Sequence, residues 1–182
     1  MEARTREGHP ITQPLQDPSD DHHDHDPSPR ARVRAWADEM RQVHARLREA
    51  LDLAREQLED AGASDAPATD LLLYCWGFCA ALSGHHRSED TALFPRLTEQ
   101  HPDLVPVVAQ LVQDHHMIEH LLGGLTEAIR LDASTEEKLR HLDGVEAVMT
   151  THFRYEERRL LDVLDGVLDD SVAPGEVFGP LG

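Results

Sequence analysis

Apolar residues recur along most of this chain at alternating three- and four-residue steps, the spacing that lines one face of an α-helix. Four such stripes can be read. The first runs Val33, Trp36, Met40, His44, Leu47, Leu51, Ala54, Leu58, and the second Leu71, Cys75, Phe78, Leu82, His85, Glu89, Leu93. The third runs Leu104, Val108, Leu111, His115, Ile118, Leu122, Leu125, Ile129, and the fourth Leu142, Val145, Met149, His152, Glu156, Leu160, Val163, Val167. Between them stand breaks. Residues 62–67 combine a helix-stopping glycine with polar residues and Pro67, and Pro95, Pro102 and Pro106 mark the next boundary. Past Leu131, Asp132 and Ser134 are candidate caps, and Ser134-Thr135-Glu136-Glu137 reads as a capping box. The pattern predicts four helices, near residues 31–61, 68–98, 103–132 and 135–169. Short connections make neighbouring helices antiparallel, so the expected fold is all-α, an up-down-up-down four-helix bundle. No run of alternating polarity competes with it.

The interruptions of the stripes carry the chemistry. Each stripe holds one histidine near its middle: His44, His85, His115 and His152. A lone inward histidine is usually a hydrogen-bonded core residue. Four of them meet at one level when helices alternate in direction, and leaving them unpartnered costs several kcal/mol. Glu89 and Glu156 follow His85 and His152 at i, i+4, so each pair projects from one helix face. A metal centre in the core satisfies all of these groups together. Mixed imidazole and carboxylate donors suit iron or manganese. A structural zinc site takes four ligands, fewer than converge here.

Composition narrows the classes further. With 17 Lys+Arg against 35 Asp+Glu the net charge is −18, which argues against a nucleic-acid binder. The single lysine, Lys138, excludes a polybasic membrane anchor, and no apolar run approaches the roughly 20 residues that span a bilayer. The first residues carry no apolar leader. Cys75 and Cys79 read as buried free thiols packed as small hydrophobes, in keeping with a reducing, cytoplasmic location. Residues 1–30 are rich in Pro, Asp and His and read as a disordered tail, whose Asp/His run at 21–26 lacks a preorganised cage for a metal. Residues 171–182 read as a C-terminal loop or tail, with Phe178 and Leu181 placed to fold back on the bundle end. No P-loop, dinucleotide fingerprint or Ser-His-Asp arrangement is present.

The segment His85-His86-Arg87-Ser88-Glu89-Asp90-Thr91-Ala92-Leu93-Phe94-Pro95 resembles the HHxxEExxLFP signature of hemerythrin-like HHE cation-binding domains. Asp114-His115-His116-Met117-Ile118 with Leu121-Leu122 is similar to that family's EHxxIxxLL segment, and His152-Phe153-Arg154-Tyr155-Glu156-Glu157 to its HFxxEE segment. The resemblance covers residues 31–170. It implies two iron ions, with manganese as an alternative, joined by an oxo or hydroxo bridge. Their ligands would be His44, His85, His115 and His152, with Glu89 and Glu156 bridging. The third helix departs from the HxxxH of oxygen-carrying hemerythrins: four residues past His115 stands Glu119. Two registers stay open there, His115 with Glu119, which continues the stripe, or His116 with His120. Glu157 is likewise an alternative to Glu156. The resemblance implies reaction with O2, H2O2, NO or a small-molecule substrate, and Glu119 as an added oxygen donor points toward oxidoreductase chemistry, oxidase or peroxidase/catalase-like. The alternative is reversible O2 binding, iron storage or sensing without turnover. Tyr74, Trp76 and Tyr155 are candidate redox aromatics, though packing is the commoner role.

Overall fold

Every stripe falls on a helix in the computed structural model, which describes residues 29–63, 69–168 and 171–182. The N-terminal tail expectation, including the run at 21–26, lies outside the described residues, as do the side chains of Val33 and Leu71. Helix α1 spans Pro29–Ala63 and α2 Thr69–Ser88. The chain continues from α2 without a loop through a π-helical turn, Glu89–Leu93, into α3, Phe94–Gln100. A 3-10 turn, Pro102–Leu104, leads to α4, Val105–Arg130, and then α5 spans Thr135–Val167. The described residues contain no strand. Helix α1 packs on α2 and α5, and α4 packs on α5 and α2, so these helices surround a common core.

That core is what the stripes supply. Met40, Leu47, Leu58, Leu82, Leu111, Ile118, Leu125, Leu142, Met149 and Leu160 are all inaccessible to solvent. Each such side chain contributes about 1.5–3 kcal/mol by leaving water. Two positions shift by one residue: Val107 and Leu164 are buried where the stripes name Val108 and Val163, which are half-buried against the same core. At 3.6 residues per turn a three-residue and a four-residue step are nearly interchangeable at a stripe's edge.

Local chemistry explains the joints. Helix α4 ends in a Schellman turn: the Ala133 N–H donates to the Ala128 carbonyl at 2.9 Å and the Asp132 N–H to the Ile129 carbonyl at 3.1 Å. Asp132 takes the left-handed conformation there, φ 52°, which Asp tolerates better than most residues. Ser134 then caps α5, its hydroxyl accepting from the Glu137 N–H at 3.2 Å. The π-helical turn has its own cause. Pro95 has no N–H to donate to the Thr91 carbonyl and its ring crowds that carbonyl, and the helix widens just upstream, with the Phe94 N–H reaching the Glu89 carbonyl.

The C-terminal stretch, which reads as loop, forms a short helix α6, Pro174–Phe178, and a 3-10 turn, Gly179–Leu181. Val177, Phe178 and Gly179 are buried against the bundle and Leu181 is half-buried. Among the described residues, no helix is long and apolar enough to cross a membrane.

Candidate metal centre

Seven titratable side chains meet in the core. Helix α1 contributes His44, the last turn of α2 His85 and His86, the π-helical turn Glu89, α4 His115, and α5 His152 and Glu156. All are buried, the most accessible being His86 at 4 %. They form two sets: His44, His85, Glu89 and Glu156 in one, His86, His115 and His152 in the other, with the ligand atoms of each set within 4.8 Å of one another. The carboxylates stand between the sets. Glu89 has Oε1 3.2 Å from His85 Nε2 and Oε2 3.6 Å from His115 Nε2. Glu156 Oε2 lies 3.3 Å from His44 Nε2 and 3.7 Å from His152 Nε2. Within the second set, His115 Nε2 is 3.1 Å from His152 Nε2.

The outer ring nitrogens explain why the inner ones converge. His44 Nδ1 donates to Glu157 Oε1 at 2.8 Å, and that oxygen also accepts from Arg48 at 3.3 Å. His85 Nδ1 donates to the Phe178 carbonyl at 3.0 Å, and His115 Nδ1 to Asp90 at 2.8 Å. His152 Nδ1 faces Asp114 at 3.7 Å. An Nδ1–H fixed in this way leaves Nε2 as the bare lone pair that a metal takes. The rings are also packed. Phe153 stacks on His44 with centroids 3.9 Å apart, His86 stacks on His115 at 4.0 Å, and Phe94 covers the other side of His115 at 5.5 Å.

Most of the inward atoms have no partner of their own. His44, His85 and His86 Nε2 and both oxygens of Glu89 and Glu156 are buried without a hydrogen bond. Each orphaned group costs about 1–3 kcal/mol, more when charged. Donors of this kind fit a metal held by nitrogen and oxygen. The protonation states of three of the rings agree with that use. Burial, reinforced by the neighbouring rings, lowers His85 to about 3, His152 to about 4 and His86 well below the usual range, so these imidazoles are neutral, as ligands must be. Burial also works against a charge on His44, but the Glu156 and Glu157 carboxylates outweigh it and raise its pKa. The two glutamates are pushed apart. Burial and the nearby Glu156 charge raise Glu89 well above the carboxylate range. Burial opposes ionisation of Glu156 too, yet its contact with His44 holds it down at about 2.

Of the residues read from sequence, His44, His85, Glu89, His115, His152 and Glu156 lie in the cluster, and Glu119 does not. Glu119 is exposed, and its carboxylate accepts from the Ser83 hydroxyl at 2.7 Å. His116 and His120 are exposed as well. Glu157 stands outside the cluster as the acceptor for His44. His86, which the stripes leave off the inner face, is in it; the His-His doublet is the sequence signal for it. Tyr74 and Trp76 are exposed, and Tyr155 is half-buried beside the guanidinium groups of Arg158 and Arg159. Burial raises the thiols of Cys75 and Cys79 to about 11, which keeps them protonated and unlike metal-binding thiolates.

One side of the cluster opens outward. A cavity of about 310 Å³ between α2 and α4 is lined by Ser83, His86, Asp90, His115 and Glu119 among others. A neighbouring, more apolar one of about 440 Å³, with Trp76, Cys79 and Leu122 on its walls, shares Ser83 and Glu119 with it.

Residues 37–164 match the family model of the Hemerythrin HHE cation binding domain. No curated protein and no solved structure matches the chain.

Proposed function

Because the chain belongs to the hemerythrin HHE cation-binding family, we propose that it is a non-haem di-iron protein performing redox chemistry on O2, H2O2 or NO. The observation that carries this reading is the pairing of two ligand sets with two carboxylates in reach of both. One ion uses four to six donors, and seven groups straddling two centres are arranged for two. Manganese shares the same donor preferences and is the alternative metal. His44, His85, Glu89 and Glu156 would hold one ion, and His86, His115 and His152 the other, with Glu89 and Glu156 common to both. The convergence of α1, α2, α4 and α5 on this one level supports an up-down-up-down antiparallel four-helix arrangement.

When bound, an iron pair supplies two electrons of redox change to a small oxidant. The chain's own groups do the rest. Glu157, Asp90 and the Phe178 carbonyl orient the rings of His44, His115 and His85, so that Nε2 is offered without reorganisation. Phe153 and Phe94 exclude water from the ring faces. A small molecule reaches the His86–His115 side through the cavity at Ser83, and Asp90 and Glu119 stand on its walls as hydrogen-bond acceptors. An open, polar approach of this kind suits turnover better than carriage, which needs a closed pocket. The sealing of His44 and His85 from solvent favours a second reading as a reversible O2 binder, iron store or sensor.

Anaerobic loading with Fe(II), metal analysis and exposure to H2O2 or air test both readings. The expected result is two irons per chain and consumption of the oxidant over repeated cycles with a reductant. One iron or none per chain overturns the di-iron reading. A stable, reversible oxygenated spectrum overturns turnover in favour of carriage.

A further inference from the structure

Residues 174–182 lie beyond the stretch that matches the family, residues 37–164, yet they touch the metal cluster. We propose that this C-terminal segment is a working part of the metal site: Phe178 is a positioning residue for His85, and the segment closes the His44–His85 side of the centre. The inference rests on the di-iron reading for its metal, though not for its geometry.

His85 Nδ1 has as its partner the backbone carbonyl of Phe178, 93 residues away in sequence, at 3.0 Å. A carbonyl only accepts, so this contact selects the ring form with the proton on Nδ1 and the lone pair on Nε2. His44 and His115 receive the same service from carboxylates, Glu157 and Asp90. A carbonyl does it without adding charge to a ring that already lies beside Glu89 and Glu156.

The carbonyl reaches His85 because two glycines let the backbones meet. Gly179 has φ +77°, and a Cβ there would stand 2.8 Å from the Gly84 carbonyl oxygen and 2.9 Å from His85 Cα, closer than real Cβ atoms come. From the other side, a Cβ on Gly84 would stand 3.0 Å from Pro180 Cδ. One glycine precedes His85 and the other follows Phe178, so the contact is confined to the residues flanking the hydrogen bond. The segment is then held on three sides. Phe178 is fully buried with its ring 6.0 Å from that of Trp36, Arg46 donates to the Leu181 carbonyl, and Arg96 pairs with Glu176. Its own end folds back, with the Gly182 N–H donating to the Gly179 carbonyl at 3.0 Å. These contacts cover the cluster at His85, which is wholly inaccessible.

The test undocks the segment from either face within the full chain. Gly179→Val places a branched side chain where neither the backbone angle nor the space allows one. Gly84→Leu pushes Pro180 away while raising the helix propensity of α2. Two readouts are taken: iron retained per chain after anaerobic loading and a chelator challenge, and the ring ¹⁵N signals of His85 in the metal-free protein. Expected is a full chain that keeps two irons, and variants with unchanged helical circular dichroism that lose one of them 10–100-fold faster, the usual effect of removing an orienting partner. Metal-free full chain should show His85 as a single Nδ1–H form, and the variants an averaged or switched one. Retention of both irons at rates within about twofold, with unchanged His85 signals, overturns the proposal. Loss of helix in both variants overturns it too, since the segment would then serve the fold rather than His85. If the full chain binds no iron, the di-iron reading fails, and the His85 signals alone decide the positioning role.

Discussion

Replacing Glu89 by Gln should stabilise the metal-free protein and destabilise the loaded one. Both Glu89 oxygens are buried without a hydrogen bond, and burial with the adjacent Glu156 charge raises its pKa well above the usual range. A carboxyl whose folded pKa is raised contributes stability at pH values below its unfolded pKa, and that contribution is lost as pH rises through the folded pKa. Glutamine keeps the shape, cannot ionise, and offers an amide that can donate toward Glu156. Its advantage is therefore small at pH 5 and grows on the alkaline side. One orphaned buried group costs about 1–3 kcal/mol, which sets the size of the gain. With a urea slope of roughly 1–3 kcal/mol/M, the midpoint of the chelated variant should rise by about 1 M at pH 8. In the iron-loaded protein the sign reverses, because Glu89 stands within reach of both ligand sets and an amide is a poorer donor than a carboxylate. Urea titrations of both proteins, chelated and loaded, at pH 5 and pH 8 give the four comparisons. A chelated Glu89→Gln protein less stable than wild type at both pH values would refute the reasoning.

Other outcomes follow from the same geometry. His86→Ala should halve the iron held per chain, whereas His116→Ala, on an exposed side chain, should leave metal analysis unchanged. In the chelated protein, His85 and His152 are lowered to about 3 and about 4, so the stability they provide is present above pH 6.5 and is lost as pH falls below it. By pH 5 each has forfeited about 2 kcal/mol, which Glu89→Gln protein, lacking one opposing group, should report as a lower urea midpoint at pH 5 than at pH 7. Asp90→Asn keeps an acceptor for His115 but removes its charge, and should weaken iron binding about 10-fold or more in a competition titration.

The helices could be read because burial obeys helical periodicity, and the same rule explains where reading failed. Successive residues turn by about 100°, so a residue four positions on lies about 40° from its predecessor. Whether that keeps it inside depends on where the stripe's centre falls. On α5 the buried positions centre beyond His152 on the Glu156 side, about 20° from Glu156, and Glu156 is buried. On α4 the buried positions lie on the other side of His115, so Glu119, at the same spacing, stands about 85° off centre and is exposed. His86 failed for a related reason. It is about 100° from His85, which looks like an outer position for a helix that meets one neighbour. Helix α2 meets α1 on one flank and α4 on the other, so adjacent histidines serve the two ligand sets separately. Phe178 had no periodic signal at all, because its contact depends on two glycines that are distant in sequence.

The widened turn at Glu89–Leu93 has a consequence for how this helix carries two kinds of information. Upstream, the rotational phase of α2 is set by His85 and Glu89 facing the metal cluster. Downstream, Leu93, Phe94 and Leu97 must face the hydrophobic core. In an unbroken α-helix these two phases are locked together, and altering one would misalign the other. The i+5 hydrogen bond from Phe94 to Glu89 takes up an extra residue and lets each half settle its own angle. The turn works as a phase adjuster, so that ligand register and packing register along one helix are independent variables.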